Sequence, residues 1–112
     1  MIETWLASFI EAWQTKNIPK VMSLFVDNVE YWETPFLRLS SKNELENEWQ
    51  AINNQYDIVV NTEVISQTSP YVVRWHLSYK NPDGELCAWS GVYIIRLEDG
   101  VCEYFYQVGE KQ

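Results

Sequence analysis

The sequence predicts an α+β fold with helices packed on one face of a curved antiparallel sheet. Apolar residues in the first half mostly recur at helical spacing, whereas from Tyr56 onward the period becomes two. The second half is cut by Ser69-Pro70, Pro82-Asp83-Gly84 and Glu98-Asp99-Gly100. Turns this short make the strands they join antiparallel neighbours. A length of 112 residues is that of one domain, spanning 1–112, and nothing in the chain reads as a linker or a repeat.

Ile2, Trp5, Leu6, Phe9, Ile10 and Trp13 lie at i, i+3, i+4, i+7 spacing and form one face of a first helix. Lys16-Asn17 closes it, because a cation suits the last turn and Asn tolerates the exit conformation. Pro19 fits the first turn of a second helix, where its missing N–H costs nothing. Val21, Met22, Leu24 and Phe25 are its expected buried face, and Asp27-Asn28 is read as a turn. A short strand then runs from Val29 to Glu33 and stops at Pro35. Ser41-Lys42-Asn43-Glu44 has the pattern of a capping box that opens a third helix, with Leu45, Trp49 and Ile52 on its inner face. The last half reads as strands over about 56–67, 71–81, 85–97 and 101–108.

Register decides what the sheet offers to each side, since a slip of one residue flips every side chain. Type I turns with a Gly bulge at both Asp-Gly sites place Asn81 opposite Glu85 and Leu97 opposite Val101. Val60, Val64, Val73, Trp75, Leu77, Tyr79, Cys87, Trp89, Tyr93, Ile95 and Phe105 then share the face under the helices. Arg74, His76, Ser78, Ser90, Val92, Ile94, Arg96, Tyr104 and Tyr106 share the other.

Composition excludes several functions. The net charge is −8 and the eight basic residues are scattered, so nucleic acid is not an expected partner. No apolar run approaches the ~18 residues of a membrane span, and the N-terminus lacks the basic region of a signal peptide. A cytoplasmic location is the default expectation. Cys87 and Cys102 have no CxxC spacing and read as reduced core thiols. A lone His76 and carboxylates without EF-hand spacing give no reason to expect a metal. No Gly-rich phosphate loop is present, and no cofactor is expected.

The order of elements, with MSLFVDNVEYWETPF after the helix ending at Lys16-Asn17 and with WSGVYIIRLEDGV near the end, resembles the nuclear transport factor 2-like superfamily, most closely its SnoaL-like branch. The resemblance implies a cone, in which a curved antiparallel or mixed sheet wraps three N-terminal helices and leaves a pocket open at one end. It also implies a range of activities, among them isomerases, cyclases, dehydratases, epoxide hydrolases and non-catalytic binders, so fold alone does not fix function. Homodimers are common among such proteins. In the ketosteroid isomerase branch the general base is an Asp before the proline that follows the first strand, and that place is Thr34 here. The matching places for the two hydrogen-bond donors are Phe9 and Tyr93. Only Tyr93 can still donate, so that activity is not expected of this chain. Nor is the histidine-based dehydratase chemistry, because His76 falls on the outer face, and no Asp-Arg-Asp set for epoxide hydrolysis is found.

Three readings follow. The first is a binding domain for a small apolar molecule in a largely aromatic pocket, lined by Thr34, Trp32, Phe9, Trp13, Tyr79, Trp89, Tyr93, Phe105 and Gln107. The second is a cofactor-independent isomerase, cyclase or dehydratase with Glu103 as acid/base and Tyr79 or Tyr93 as donor. Glu103 is expected among Tyr93, Ile95 and Phe105, where burial raises a carboxyl pKa. The third is a homodimeric interaction module with a filled cone. Its convex interface would use Arg74, His76, Val92, Ile94, Tyr104 and Tyr106, a face too apolar for solvent. If Thr34 points inward, strand alternation turns Glu33 outward into solvent, although a bend at Pro35 reverses that assignment.

Overall fold

The first apolar stripe folds as expected. In the computed structural model, which describes residues 1–112, helix α1 spans Ile2–Gln14 and buries Ile2, Trp5, Leu6, Phe9 and Trp13. Its exit differs in detail. Lys16 takes the left-handed conformation at φ 58°, and Asn17 instead caps the next helix, its Oδ1 accepting from Lys20 N at 3.1 Å. Helix α2 is short, Ile18–Ser23, and Leu24 and Phe25 are buried beyond its end. Phe25 already begins strand β1 (Phe25–Thr34), so Asp27-Asn28 lies within a strand and is not a turn. A register shift between Phe25 and Glu30 takes up these two polar residues. The chain then folds back through a three-residue strand β2 (Leu37–Leu39) that alternation did not reveal, being too brief to show a period.

Helix α3 (Lys42–Trp49) begins at the anticipated cap. The Ser41 hydroxyl accepts from Glu44 N at 3.2 Å, while Glu44 Oε2 accepts from Ser40 N at 2.6 Å. These bonds to otherwise free N–H groups hold the Glu44 carboxyl below its usual range. The helix tightens into a 3₁₀ turn (Gln50–Asn54) and leads to the meander β3 (Tyr56–Ser66), β4 (Tyr71–Lys80), β5 (Leu86–Glu98) and β6 (Val101–Lys111). The sheet order is β2-β1-β6-β5-β4-β3, and it is mixed because β1 lies parallel to β6. The result is the expected α+β cone, with three helices against the inner face of a curved six-stranded sheet. No helix is long and apolar enough to cross a membrane.

The first Asp-Gly hairpin has the expected register. Asn81 N donates to Glu85 O at 2.8 Å, and Gly84 takes φ 86° in a three-residue loop. The second does not. Asp99 (φ 51°) and Gly100 (φ 79°) form a two-residue turn with both φ positive, which matches the strand twist, so Glu98 rather than Leu97 faces Val101. The extra residue reappears one step later. Leu97 pairs with Cys102 and Arg96 with Tyr104, which leaves Glu103 as a bulge. Every residue from Tyr104 onward therefore keeps its expected face, while the three before it change sides: Cys102 turns into the core, and Val101 and Glu103 turn outward.

An aromatic cluster fills the closed end of the cone. Phe9, fully buried on α1, has Trp5 stacked at 4.9 Å and Trp13, Trp49, Phe25, Tyr93 and Phe105 within 6.3 Å. Mixed stacked and edge-on pairs of this kind add a little to the large burial each ring supplies. Both thiols are buried and free.

Candidate functional site

The packing opens toward the other end of the cone into two adjoining chambers. The inner one, about 130 Å³, is lined by Phe9, Trp13, Tyr31, Trp49, Ile52, Tyr93 and Phe105, with Glu33, Glu48, Gln55 and Gln107 as its polar groups. The outer one, about 470 Å³, has Trp13, Trp75, Leu77, Tyr79 and Trp89 as walls and Thr34, Pro35, Val108 and Gly109 at its rim. Trp13, Glu33, Gln55 and Gln107 line both, so these four form the junction. The outer volume lies within the ~300–1,000 Å³ typical of small-molecule sites.

Local sequence explains why Glu33 sits there. Val29 and Tyr31 are buried on the inner face of β1, and alternation carries Glu33 to the same side. Trp32 pairs with Arg38 and Thr34 with Leu37, so Glu33 is the extra residue of a bulge beside β2. Bulges re-aim side chains and are frequent beside sites. Gln107 of β6 donates from Nε2 to the Glu33 carbonyl at 2.8 Å, tying the bulge across the sheet. Trp13 Nε1 donates to Gln55 Oε1 at 3.1 Å and fixes the other side of the junction.

The electrostatics follow from the walls. Burial, with a smaller contribution from the nearby Glu48 carboxylate, pushes the Glu33 carboxyl up to about 7. Hydrogen bonds from the Tyr31 and Gln107 side chains pull the other way without cancelling this. Glu33 thus exchanges its proton near neutrality. Burial, reinforced by the Glu33 charge, lifts Tyr93 far above the ordinary phenol range, and Tyr31 shifts likewise. Both phenols stay protonated and available as donors. Trp75 stacks on Tyr93 at 5.3 Å, and its indole N–H is buried without an acceptor. No group of His, Cys, Asp and Glu side chains is arranged to hold a metal ion.

Most of the residues read from sequence gather here. Phe9, Trp13, Tyr93, Phe105 and Gln107 line the inner chamber, and Thr34, Tyr79 and Trp89 join Trp13 and Gln107 around the outer one. Thr34 itself is exposed at the rim, its hydroxyl accepting from Phe36 N at 3.1 Å. Two residues are elsewhere. Trp32 faces outward, donates from Nε1 to Glu30 Oε2 at 2.9 Å and lies 6.2 Å from Tyr106. The bulge turns Glu103 out of the cone into a polar cleft with Arg96, Arg38, Glu30 and Glu98. Its carboxylate is 3.9 Å from Arg96 Nε, and it raises the pKa of Glu98 through a shared hydrogen bond and its charge. Glu103 does not reach the chambers. Arg74, His76, Val92, Ile94, Tyr104 and Tyr106 do lie together on the convex face.

Sequence reasoning put Glu33 on the wrong side and passed over Glu48. A signal existed for both. Val29, Tyr31 and Glu33 alternate on one face, and Leu45, Glu48, Trp49 and Ile52 follow i, i+3, i+4, i+7, which sets Glu48 in the apolar stripe of α3.

Comparison with known proteins supports this picture of the fold. Residues 6–103 match the SnoaL-like domain family. A nuclear transport factor 2-like protein of unknown function from Exiguobacterium sp. 255-15 superposes with a TM-score of 0.79 at 21% identity, over 95% of this chain and 98% of that one. A Δ5-3-ketosteroid isomerase from Mycobacterium sp. gives 0.81 at 15% identity, over 97% and 96%. An epoxide hydrolase from M. tuberculosis gives 0.78 at 10% identity, over 96% and 80%. No curated protein matches the sequence.

Proposed function

The chain belongs to the SnoaL-like domain family, and on that premise we propose that it binds a small, largely apolar molecule in the two chambers and moves a proton on it without a cofactor. One observation carries this reading. A carboxyl group that titrates near neutrality, Glu33, sits at the junction of an aromatic cavity beside protonated phenols. A general base works best with its pKa near the ambient pH. Glu33 would take a proton from a carbon next to a carbonyl and return it at a second position. Tyr93, backed by Tyr31, would donate to the oxygen on which negative charge develops. The ketosteroid isomerase and the epoxide hydrolase of similar fold make proton transfer chemically reasonable in such a cone. Their substrates are not transferred to this chain.

The test is deuterium uptake from heavy water into a panel of enolisable ketones and unsaturated ketones, followed by proton NMR. The native protein should accelerate exchange on some members, with a rate that rises through about pH 7 as Glu33 ionises. Glu33→Gln should lose roughly 10²–10⁴-fold, while Glu103→Gln should not change the rate. Equal exchange by native protein and Glu33→Gln would return the chain to the simpler role of a binding domain.

We also propose that two copies pair through the convex face. Val92 and Val108 face each other there and are 37% and 46% exposed, next to the Ile94–Tyr106 pair and Trp32. A continuous apolar band on an open sheet favours a partner over water.

A further inference from the structure

The charge and the walls of the chambers say more about the ligand than that it is apolar. Two carboxylates, Glu33 from β1 and Glu48 from α3, face the inner chamber, and Glu33 faces the outer one as well. Neither takes part in a salt bridge, although five are formed elsewhere in the molecule. No Lys, Arg or His lines either chamber. The other groups packed around Glu33 are the phenols Tyr31 and Tyr93 and the amides Gln55 and Gln107, all uncharged. Three indoles, Trp13, Trp75 and Trp89, and the phenol of Tyr79 wall the outer chamber. Glu48 is exposed at the edge of the inner chamber, whereas Glu33 is half-buried, and a half-buried carboxylate is ordinarily paired. Here the complementary charge is missing from the chain itself, and the walls are of the residue type that attracts cations to ring faces. A net charge of −8 draws cations toward the molecule and repels anions.

We propose that the outer chamber is built for a small organic cation, an ammonium group carried on a compact apolar body, with the indoles around the cationic end and Glu33 as its counter-charge. This narrows the substrate class of the site described above and rests on that reading only for the chamber being a small-molecule site. Binding and proton transfer are then linked. The cation favours the ionised form of Glu33, so it prepares the base at the moment the substrate arrives, and by reciprocity the ionised form binds the cation more tightly.

The test compares choline with its neutral carbon isostere, 3,3-dimethylbutan-1-ol, by titration of tryptophan fluorescence and by calorimetry. The native protein should bind choline at least about tenfold more tightly than the isostere at about pH 8.5, and this preference should shrink at about pH 5.5, where Glu33 is protonated. Glu33→Gln should abolish the pH dependence while retaining the isostere. Trp89→Leu should weaken choline more than the isostere. Should Glu33→Gln fail to fold, carboxyl-carbon NMR of the native protein supplies the second reading, since saturating choline should lower the Glu33 pKa. Binding of the isostere as tightly as choline, or choline affinity independent of pH, overturns the cation proposal and leaves the small-molecule site standing. Binding of neither probe overturns both.

Discussion

At the scale of single residues, Glu33 couples the site to stability. Its folded pKa of about 7 lies above the ordinary carboxyl value of 4.5, so between those values the folded chain holds a proton that the unfolded chain has released. Stability therefore falls as pH rises from about 4.5 through about 7, and the ionised carboxylate remains a burden above that range. Glu33→Gln removes the burden. The variant should be more stable than native protein at about pH 8, by on the order of 2 kcal/mol, and should lose that advantage by about pH 4.5. Urea denaturation at the two pH values reads this directly, and a native protein more stable than the variant at about pH 8 would contradict the placement of Glu33. The same residue shows what sequence could and could not reveal. The neighbouring positions Val29 and Tyr31 announced the inner face of the strand, yet alignment to a proline-flanked site favoured Thr34. The bulge that decides between them depends on the three-residue strand β2, which leaves almost no trace in the sequence.

At the scale of elements, β5 and β6 meet at Gly91 and Gly109, which are cross-strand partners. A Cβ on Gly91 would lie 1.8 Å from the Val108 carbonyl oxygen, whereas one on Gly109 would lie 2.6 Å from the Trp75 ring. The first clash is with backbone and the second with a side chain that has some freedom to move. Gly109→Ala should therefore cost about 1–3 kcal/mol, as overpacking does, and alter tryptophan fluorescence as Trp75 shifts in the chamber wall. Gly91→Ala should cost more, because only separation of the strands makes room. Chemical denaturation of both variants ranks them, and an equal or smaller loss for Gly91→Ala would refute the account. A glycine inside an alternating strand reads in the sequence as either a bend or a gap in the pocket wall; Gly91 lines neither chamber, and the close approach of the Val108 backbone is what requires it. Helices, caps and strand existence were legible because they rest on local periodicity and hydrogen bonding. The final hairpin was not, because Asp99-Gly100 suits both a three-residue bulged loop and a two-residue turn. Moving the extra residue from the turn to Glu103 changes the faces of Val101, Cys102 and Glu103 and none of the burial pattern that follows.

At the scale of the whole molecule, the cone has two unlike surfaces. The concave side closes on the helices and leaves the chamber mouth at the rim, while the convex side presents an apolar band across β1, β6 and β5 made by Trp32, Tyr106, Ile94, Val92 and Val108. Apart from Val108, which also borders the outer chamber, the residues of this band line neither chamber, so Val92 is a position where association can be disturbed without touching the site. Its polar margin is already internally paired, with Arg74 3.6 Å from Glu63 and the Arg96 guanidinium 4.3 Å from the centre of the Tyr104 ring. The apolar band must then supply most of the attraction between copies, working against the repulsion of two chains of charge −8. Salt screens that repulsion over a Debye length of about 8 Å at physiological ionic strength and leaves apolar burial intact. The dimer should accordingly strengthen as salt is raised, the reverse of an interface held by ion pairs. Val92→Glu, which places a charge in the middle of the band, should give a monomer with unchanged secondary structure and unchanged ligand binding. Sedimentation equilibrium over a series of salt concentrations checks each part. A native protein that stays monomeric throughout, or a Val92→Glu variant that still dimerises, would show that the band is not where copies meet.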